Sequence, residues 1–129
     1  MERTEYLIDT NTVIDYLGEK LPINGMAFMN QIVDNLPIVS VITKIEVLGF
    51  KAPETHQELL TSFMQDVIVL NLTDEIVAAT INIRKNYKTK LPDAIIAATA
   101  MVHSLTLLTR NTADFKNILE LNLVDPYKL

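Results

Sequence analysis

A chain of 129 residues, 49% hydrophobic and 21% charged, is long enough to bury a core and too apolar to stay disordered. The absence of cysteine removes disulfide frameworks, thiolate nucleophiles and sulfur-ligated zinc, in keeping with a reducing, cytoplasmic setting. A formal charge of −5 argues against a broad basic surface for nucleic acid, while leaving room for an acidic pocket that metal ions neutralise. No repeat or linker interrupts the chain, so one domain over residues 1–129 is expected. No stretch approaches a membrane span, and the N-terminal segment carries acids where a signal peptide starts with bases.

Residues 4–9 read as a buried first strand that ends on Asp9, where Leu7 and Ile8 give way to Thr10, Asn11 and Thr12. An acid at a strand exit either caps the next helix or faces the crevice in which open α/β sheets bind ligands. A short helix over 10–17 follows, with Val13, Ile14 and Leu17 apolar and Gly18 at its end. Residues 21–25 read as a turn, and 26–33 as a second helix with Met26, Met29 and Val33 on its core face. Pro37 opens a β-branched strand over 38–42. From 42 to 50 the pattern turns helical. At about 100° per residue, Glu46 projects between Ile42 and Phe50 on the apolar side, whereas Lys44 points away. A buried carboxylate is costly unless paired, so Glu46 there needs a cation, a hydrogen-bond network or a raised pKa.

Pro53-Glu54 opens a helix with Leu59, Leu60, Phe63 and Met64 as its apolar side, and residues 67–70 form a third strand. Thr73 is expected to cap a helix reaching about Tyr87, in which Ile76, Thr80, Ile83 and Tyr87 recur at helical spacing. Arg84 lies beside that face, with a phosphate or a carboxylate as its alternative partners. The polar loop 88–93 leads into a helix over 92–103, with Pro92 first and Asp93 in the first turn. The helix dipole alone stabilises such an acid by about 0.3–1 kcal/mol. Ala94, Ala97, Ala98 and Ala100 let this helix lie close to a sheet and hold Asp93 rigidly at its edge. Residues 105–109 give another strand, whose exit offers the hydroxyl of Thr109, the cation of Arg110 and the amide of Asn111 ahead of Asp114. Those residue types also serve turns. A last edge strand is expected over 121–124, and the tail 127–129 carries no signal. His56 and His103 lack the spacing of a paired zinc motif. Strands alternating with helices indicate a parallel α/β sheet.

Four stretches carry a further likeness: Leu7-Ile8-Asp9-Thr10-Asn11, Ser40-Val41-Ile42-Thr43-Lys44-Ile45-Glu46, Leu91-Pro92-Asp93-Ala94-Ile95-Ile96-Ala97-Ala98-Thr99-Ala100, and Leu108-Thr109-Arg110-Asn111-Thr112-Ala113-Asp114-Phe115. In order and spacing the chain resembles the PIN-domain nucleases, and within them the small VapC-type toxins, nearly end to end. The resemblance implies a central parallel sheet of about five strands flanked by helices. It implies that Asp9, Glu46, Asp93 and Asp114 form an acidic catalytic quartet, with Asn11 and Thr109 shaping the pocket. Asp9, Asp93 and Asp114 are assigned mainly to metal, Glu46 to metal or to water, Asn111 to the same pocket, and Arg84 and Arg110 to candidate phosphate contacts. The implied activity is Mg²⁺-dependent (or Mn²⁺-dependent) endonucleolytic cleavage of RNA by a toxin that pairs with an antitoxin and forms a homodimer.

The chemistry agrees with that assignment, because four converging carboxylates repel one another and a hard divalent cation with oxygen ligands relieves the conflict. The alternatives are an RNA-processing nuclease or a binding module of the same fold outside a toxin-antitoxin pair. An aspartate-nucleophile phosphohydrolase also puts Asp at the end of its first strand. That chemistry calls for a second Asp two residues on, where this chain has Asn11.

Overall fold

The computed structural model describes residues 5–129; the expected strand start at residue 4 and the acid at position 2 lie outside the described residues. Five strands, β1 (Tyr6–Ile8), β2 (Ile38–Ser40), β3 (Ile68–Leu70), β4 (Thr106–Leu108) and β5 (Leu123–Val124), form one parallel sheet in the order β3-β2-β1-β4-β5. Among the described residues seven α-helices accompany it: α1 (Thr10–Leu17), α2 (Ile23–Asn35), α3 (Val41–Leu48), α4 (Glu54–Asp66), α5 (Asp74–Asn86), α6 (Leu91–Val102) and α7 (Thr112–Phe115). The expected parallel α/β fold, with its five strands between helices, is what the chain adopts.

Alternation along the strands divides the core in two. Leu7, Ile38 and Leu107 face Ile76 and Ile83 of α5, the alanines of α6, and Phe115 of α7. Ile8, Val39 and Leu108 face the opposite way, onto Val13 of α1, Met29 of α2, Val47 of α3, and Leu60 and Met64 of α4. Ala94, Ala97, Ala98 and Ala100 have no exposed surface, so α6 lies as close to the sheet as its small side chains allow. Thr73 caps α5 as expected, its hydroxyl accepting from Ile76 N at 3.2 Å.

Several boundaries differ for local reasons. The strand expected to reach residue 42 stops at Ser40, because the Ser40 hydroxyl accepts from Ile42 N (3.1 Å) and caps α3. Lys90 stands at the cap of α6 and Leu91 is its first residue, which makes Pro92 the second. The last strand is shorter than 121–124. α2 begins at Ile23, three residues before the expected Met26, and takes Gly25 into the helix. A Cβ on Gly25 would lie 2.1 Å from the Pro126 carbonyl oxygen, so this glycine serves a close approach to the C-terminal tail. That tail, silent in the sequence, forms a 3-10 turn over Pro126–Lys128 and buries Pro126. Its Tyr127 hydroxyl donates to Asp15 of α1.

Candidate active site

β1 and β4 end side by side in register, Ile8 opposite Leu108, and Asp9 N extends the pairing by donating to Leu108 O at 3.0 Å. Chain order reverses here: β2 and β3 extend the sheet on one side of β1, and β4 and β5 on the other. The crevice at such a switch point is where open α/β sheets bind ligands.

Asp9 is only 4% exposed. Its Oδ1 accepts from Thr10 N (2.8 Å) and its Oδ2 from the Thr109 hydroxyl (2.8 Å), which in turn accepts from Asn111 N at 3.1 Å. Capping and site geometry therefore coincide in one residue, since Asp9 also stands at the N-cap of α1. Burial pushes its carboxyl above the ordinary range, the bonds from Thr109 and Thr10 draw it back, and the charge of Glu46 adds to the rise.

Glu46 is exposed, contrary to its expected place on a buried apolar face. α3 buries Thr43 and Val47, one turn apart, and leaves Ile45 63% and Leu48 41% exposed. Its core stripe is narrower than its apolar content suggests. The partner that holds Glu46 is Thr10, whose hydroxyl donates to Oε1 at 2.7 Å and lies 3.1 Å from the Thr43 hydroxyl.

Asp93 occupies the first turn of α6, and the exposed Asp114 lies in α7, which is anchored by the buried Phe115. Burial raises the Asp93 carboxyl most, followed by the charges of Asp9, Asp114 and Glu46, with Lys90 opposing them. One carboxyl thus registers the other three. Asp93 and Asp114 line a cleft of about 370 Å³ together with Lys88, Thr89 and Lys90.

The two arginines assigned to phosphate are engaged elsewhere. Arg84 donates to the Thr89 carbonyl, and Arg110 lies 5.0 Å above the Tyr127 ring in a cation–π contact. Asn11 is exposed, and Asn111 enters through its backbone amide. Sequence reasoning missed Thr10, Thr43, Lys88, Thr89 and Lys90 as members of the site. Thr89 Oγ1 is the one buried side-chain polar atom among the described residues with no hydrogen-bond partner. Such an atom costs about 1–3 kcal/mol, which a bound oxygen recovers.

Among the described residues no three His, Asp or Glu groups stand close enough to enclose a metal ion. Asp93 and Asp114 line the cleft, and Asp9 and Glu46 lie near enough for their charges to act on Asp93. Their oxygen-only donors, their mutual repulsion at Asp93 and the unpartnered Thr89 hydroxyl suit a hard, hydrated divalent cation that keeps part of its water.

Residues 6–120 match the PIN domain family. The chain is a PIN-domain protein. It is 35% identical to a chain in a toxin-antitoxin complex from Klebsiella pneumoniae, with a TM-score of 0.76 over 97% of this chain and 100% of that one. A chain of FitAcB from Neisseria gonorrhoeae is 26% identical, with a TM-score of 0.75 over 96% and 99% of the two chains. DNA-bound VapBC from Salmonella typhimurium, at 24% identity, shares the fold, with a TM-score of 0.79 over 96% of this chain and 99% of that one. No curated protein matches the chain. The resemblance to PIN-domain proteins drawn from the four stretches is borne out, and the fold is shared with VapBC chains. Among the described residues of this PIN domain, no helix is long and apolar enough to cross a membrane.

Proposed function

We propose that this PIN domain is an endoribonuclease that hydrolyses RNA phosphodiester bonds with Mg²⁺ (Mn²⁺ substituting), and that it is the toxin of a type II toxin-antitoxin pair acting in the cytoplasm. The observation that carries the reading is that Asp93 and Asp114 line one cleft, while Asp9, held by Thr109, and Glu46, held by Thr10, stand close enough for their charges to act on Asp93. Like charge so concentrated, with Lys90 opposing it at Asp93, suits an acid cluster kept for a cation.

Asp9, Asp93 and Asp114 would hold the metal, which when bound supplies charge to polarise the phosphate and lowers the pKa of water. The chain's own residues set the geometry. Thr109 fixes the Asp9 carboxylate through Oδ2, and the Asn111 amide fixes Thr109. Thr10 holds Glu46 through Oε1, leaving Oε2 to accept a proton from the attacking water.

The antitoxin and homodimer readings rest on the family resemblance, on the 35% identical relative found in a toxin-antitoxin complex, and on apolar side chains left at the surface, Ile45 and Leu48 of α3 and Val77 and Ile81 of α5. An acidic pocket that attracts a metal also attracts a partner's guanidinium. Purified protein is expected to cut single-stranded RNA internally in Mg²⁺ and to stop on chelation. Cleavage indifferent to chelator would overturn the metal assignment, and no cleavage in Mg²⁺ or Mn²⁺ would overturn the activity.

A further inference from the structure

The cleft between α6 and α7 holds both signs of charge. Asp93 and Asp114 call for a cation, while Lys88 and Lys90, on the connection between α5 and α6, call for an anion. Between the two lysines stands Thr89, whose buried hydroxyl has no partner and whose carbonyl is held by the Arg84 guanidinium. A phosphodiester that arrives beside a divalent cation satisfies all of these groups at once, because its anionic oxygens accept from a hydroxyl and from ammonium groups while the cation meets the acids.

We propose that the segment 88–90 is the phosphate-binding element for the RNA backbone, a role that rests on the endoribonuclease reading of this cleft. The Thr89 hydroxyl donates to a non-bridging phosphate oxygen, and Lys88 and Lys90 neutralise the backbone on either side of it. Arg84 is a positioning residue. Its side chain reaches from the last turn of α5 across the connection to Thr89, setting where the Thr89 hydroxyl stands. Its guanidinium is turned to the backbone of the segment through the Thr89 carbonyl.

The test is equilibrium binding of a fluorescein-labelled 12-nucleotide single-stranded RNA to the full chain in Ca²⁺, a hard cation that can occupy the acidic cleft in place of Mg²⁺, with the RNA shown intact on a gel so that binding is read apart from cleavage, followed over a range of KCl concentrations. Each phosphate neutralised on a single strand contributes about 0.7 to the slope of log affinity against log salt. The double variant Lys88→Ser/Lys90→Ser is expected to lower that slope by about 1.4. Thr89→Val is expected to weaken binding about ten- to a hundredfold with the slope unchanged, and Thr89→Ser to restore it, as a hydrogen bond to a charged acceptor requires. Arg84→Gln is expected to weaken binding without changing the slope. In Mg²⁺, Thr89→Val should raise KM for the same RNA while kcat stays within about threefold, as loss of uniform binding predicts. Thermal melting of each variant verifies that it is folded. If wild-type protein cleaves RNA and the lysine and Thr89→Val variants bind with wild-type slope and affinity, the phosphate-binding role is overturned and the nuclease reading stands. If wild-type protein binds RNA through these residues and does not cut it in Mg²⁺ or Mn²⁺, the nuclease reading falls instead.

Discussion

The Thr109 hydroxyl donates to Asp9 Oδ2 at 2.8 Å, joining the ends of two neighbouring strands that lie 100 residues apart in the chain. The bond fixes the direction of a nearly buried carboxylate, because Oδ1 is held at the same time by Thr10 N. Residues that orient a ligating carboxylate typically matter 10–100-fold in affinity or activity. Thr109→Val should therefore lower Mg²⁺-dependent cleavage by about 10–100-fold, and Thr109→Ser should retain most of it. Loss of the donor should also lower folding stability by about 1–3 kcal/mol in urea unfolding. Full activity in the valine variant would show that Asp9 needs no such partner.

Asp114 is where activity and stability are expected to separate. It is exposed, and its charge contributes to the raised proton affinity of Asp93. Asp114→Asn should abolish cleavage, leave metal-free melting unchanged or higher, and reduce the extra stability that Mg²⁺ confers by mass action. A markedly destabilised variant that still cuts RNA would make Asp114 a structural residue.

The folded-state values of Asp9 and Asp93 are both raised above the ordinary 3.8, chiefly by burial. Between 3.8 and the raised values the native state holds protons that the unfolded chain has released, so these two groups lower metal-free stability as pH rises through that window. Below it both states are protonated and the penalty is absent. Asp93→Asn should accordingly gain stability relative to wild type as pH rises from about 4 to about 7, read as a growing difference in urea midpoint. A difference that does not change with pH would contradict this.

Gly25 is where α2 meets the Pro126 carbonyl, and the 2.1 Å that a Cβ would leave cannot be relieved by a side-chain rotation because the obstacle is backbone. Gly25→Ala should cost about 1–3 kcal/mol, as overpacking does, and loosen the docked tail. Unchanged urea unfolding would show that the tail yields freely.

The strand exits were legible because Asp9 and Thr109 each end an apolar run, and Asp93 because Pro92 and a row of alanines mark a close-packed helix start. Glu46 lies on the other side of α3 from the one the sequence suggests: Ile42 and Phe50 on either side of it look like a core face, yet Phe50, Ile45 and Leu48 are exposed and the buried positions are Thr43 and Val47. An apolar side chain kept at the surface carries no local mark that distinguishes it from one in the core. Thr10 and Thr89 escaped notice because a threonine beside a cap or in a polar loop has ordinary turn chemistry to explain it. Only the tertiary approach of α1 to α3, and of Arg84 to Thr89, gives those residues their other role. The contact of Gly25 with Pro126 depends on residues at opposite ends of the chain, which no local pattern reports.

Asp9, Asp93 and Asp114 are proposed to hold a divalent cation that supports RNA cleavage. The most direct measurement of this is the Mg²⁺ dependence of internal cleavage of an end-labelled single-stranded RNA by wild-type protein and by Asp9→Asn, with chelator as the zero point. Wild-type protein should show cleavage that saturates with Mg²⁺ and vanishes in chelator, and Asp9→Asn should show none at any concentration, with RNA binding retained. Cleavage by Asp9→Asn at the wild-type rate, or by wild-type protein in chelator, would contradict the account.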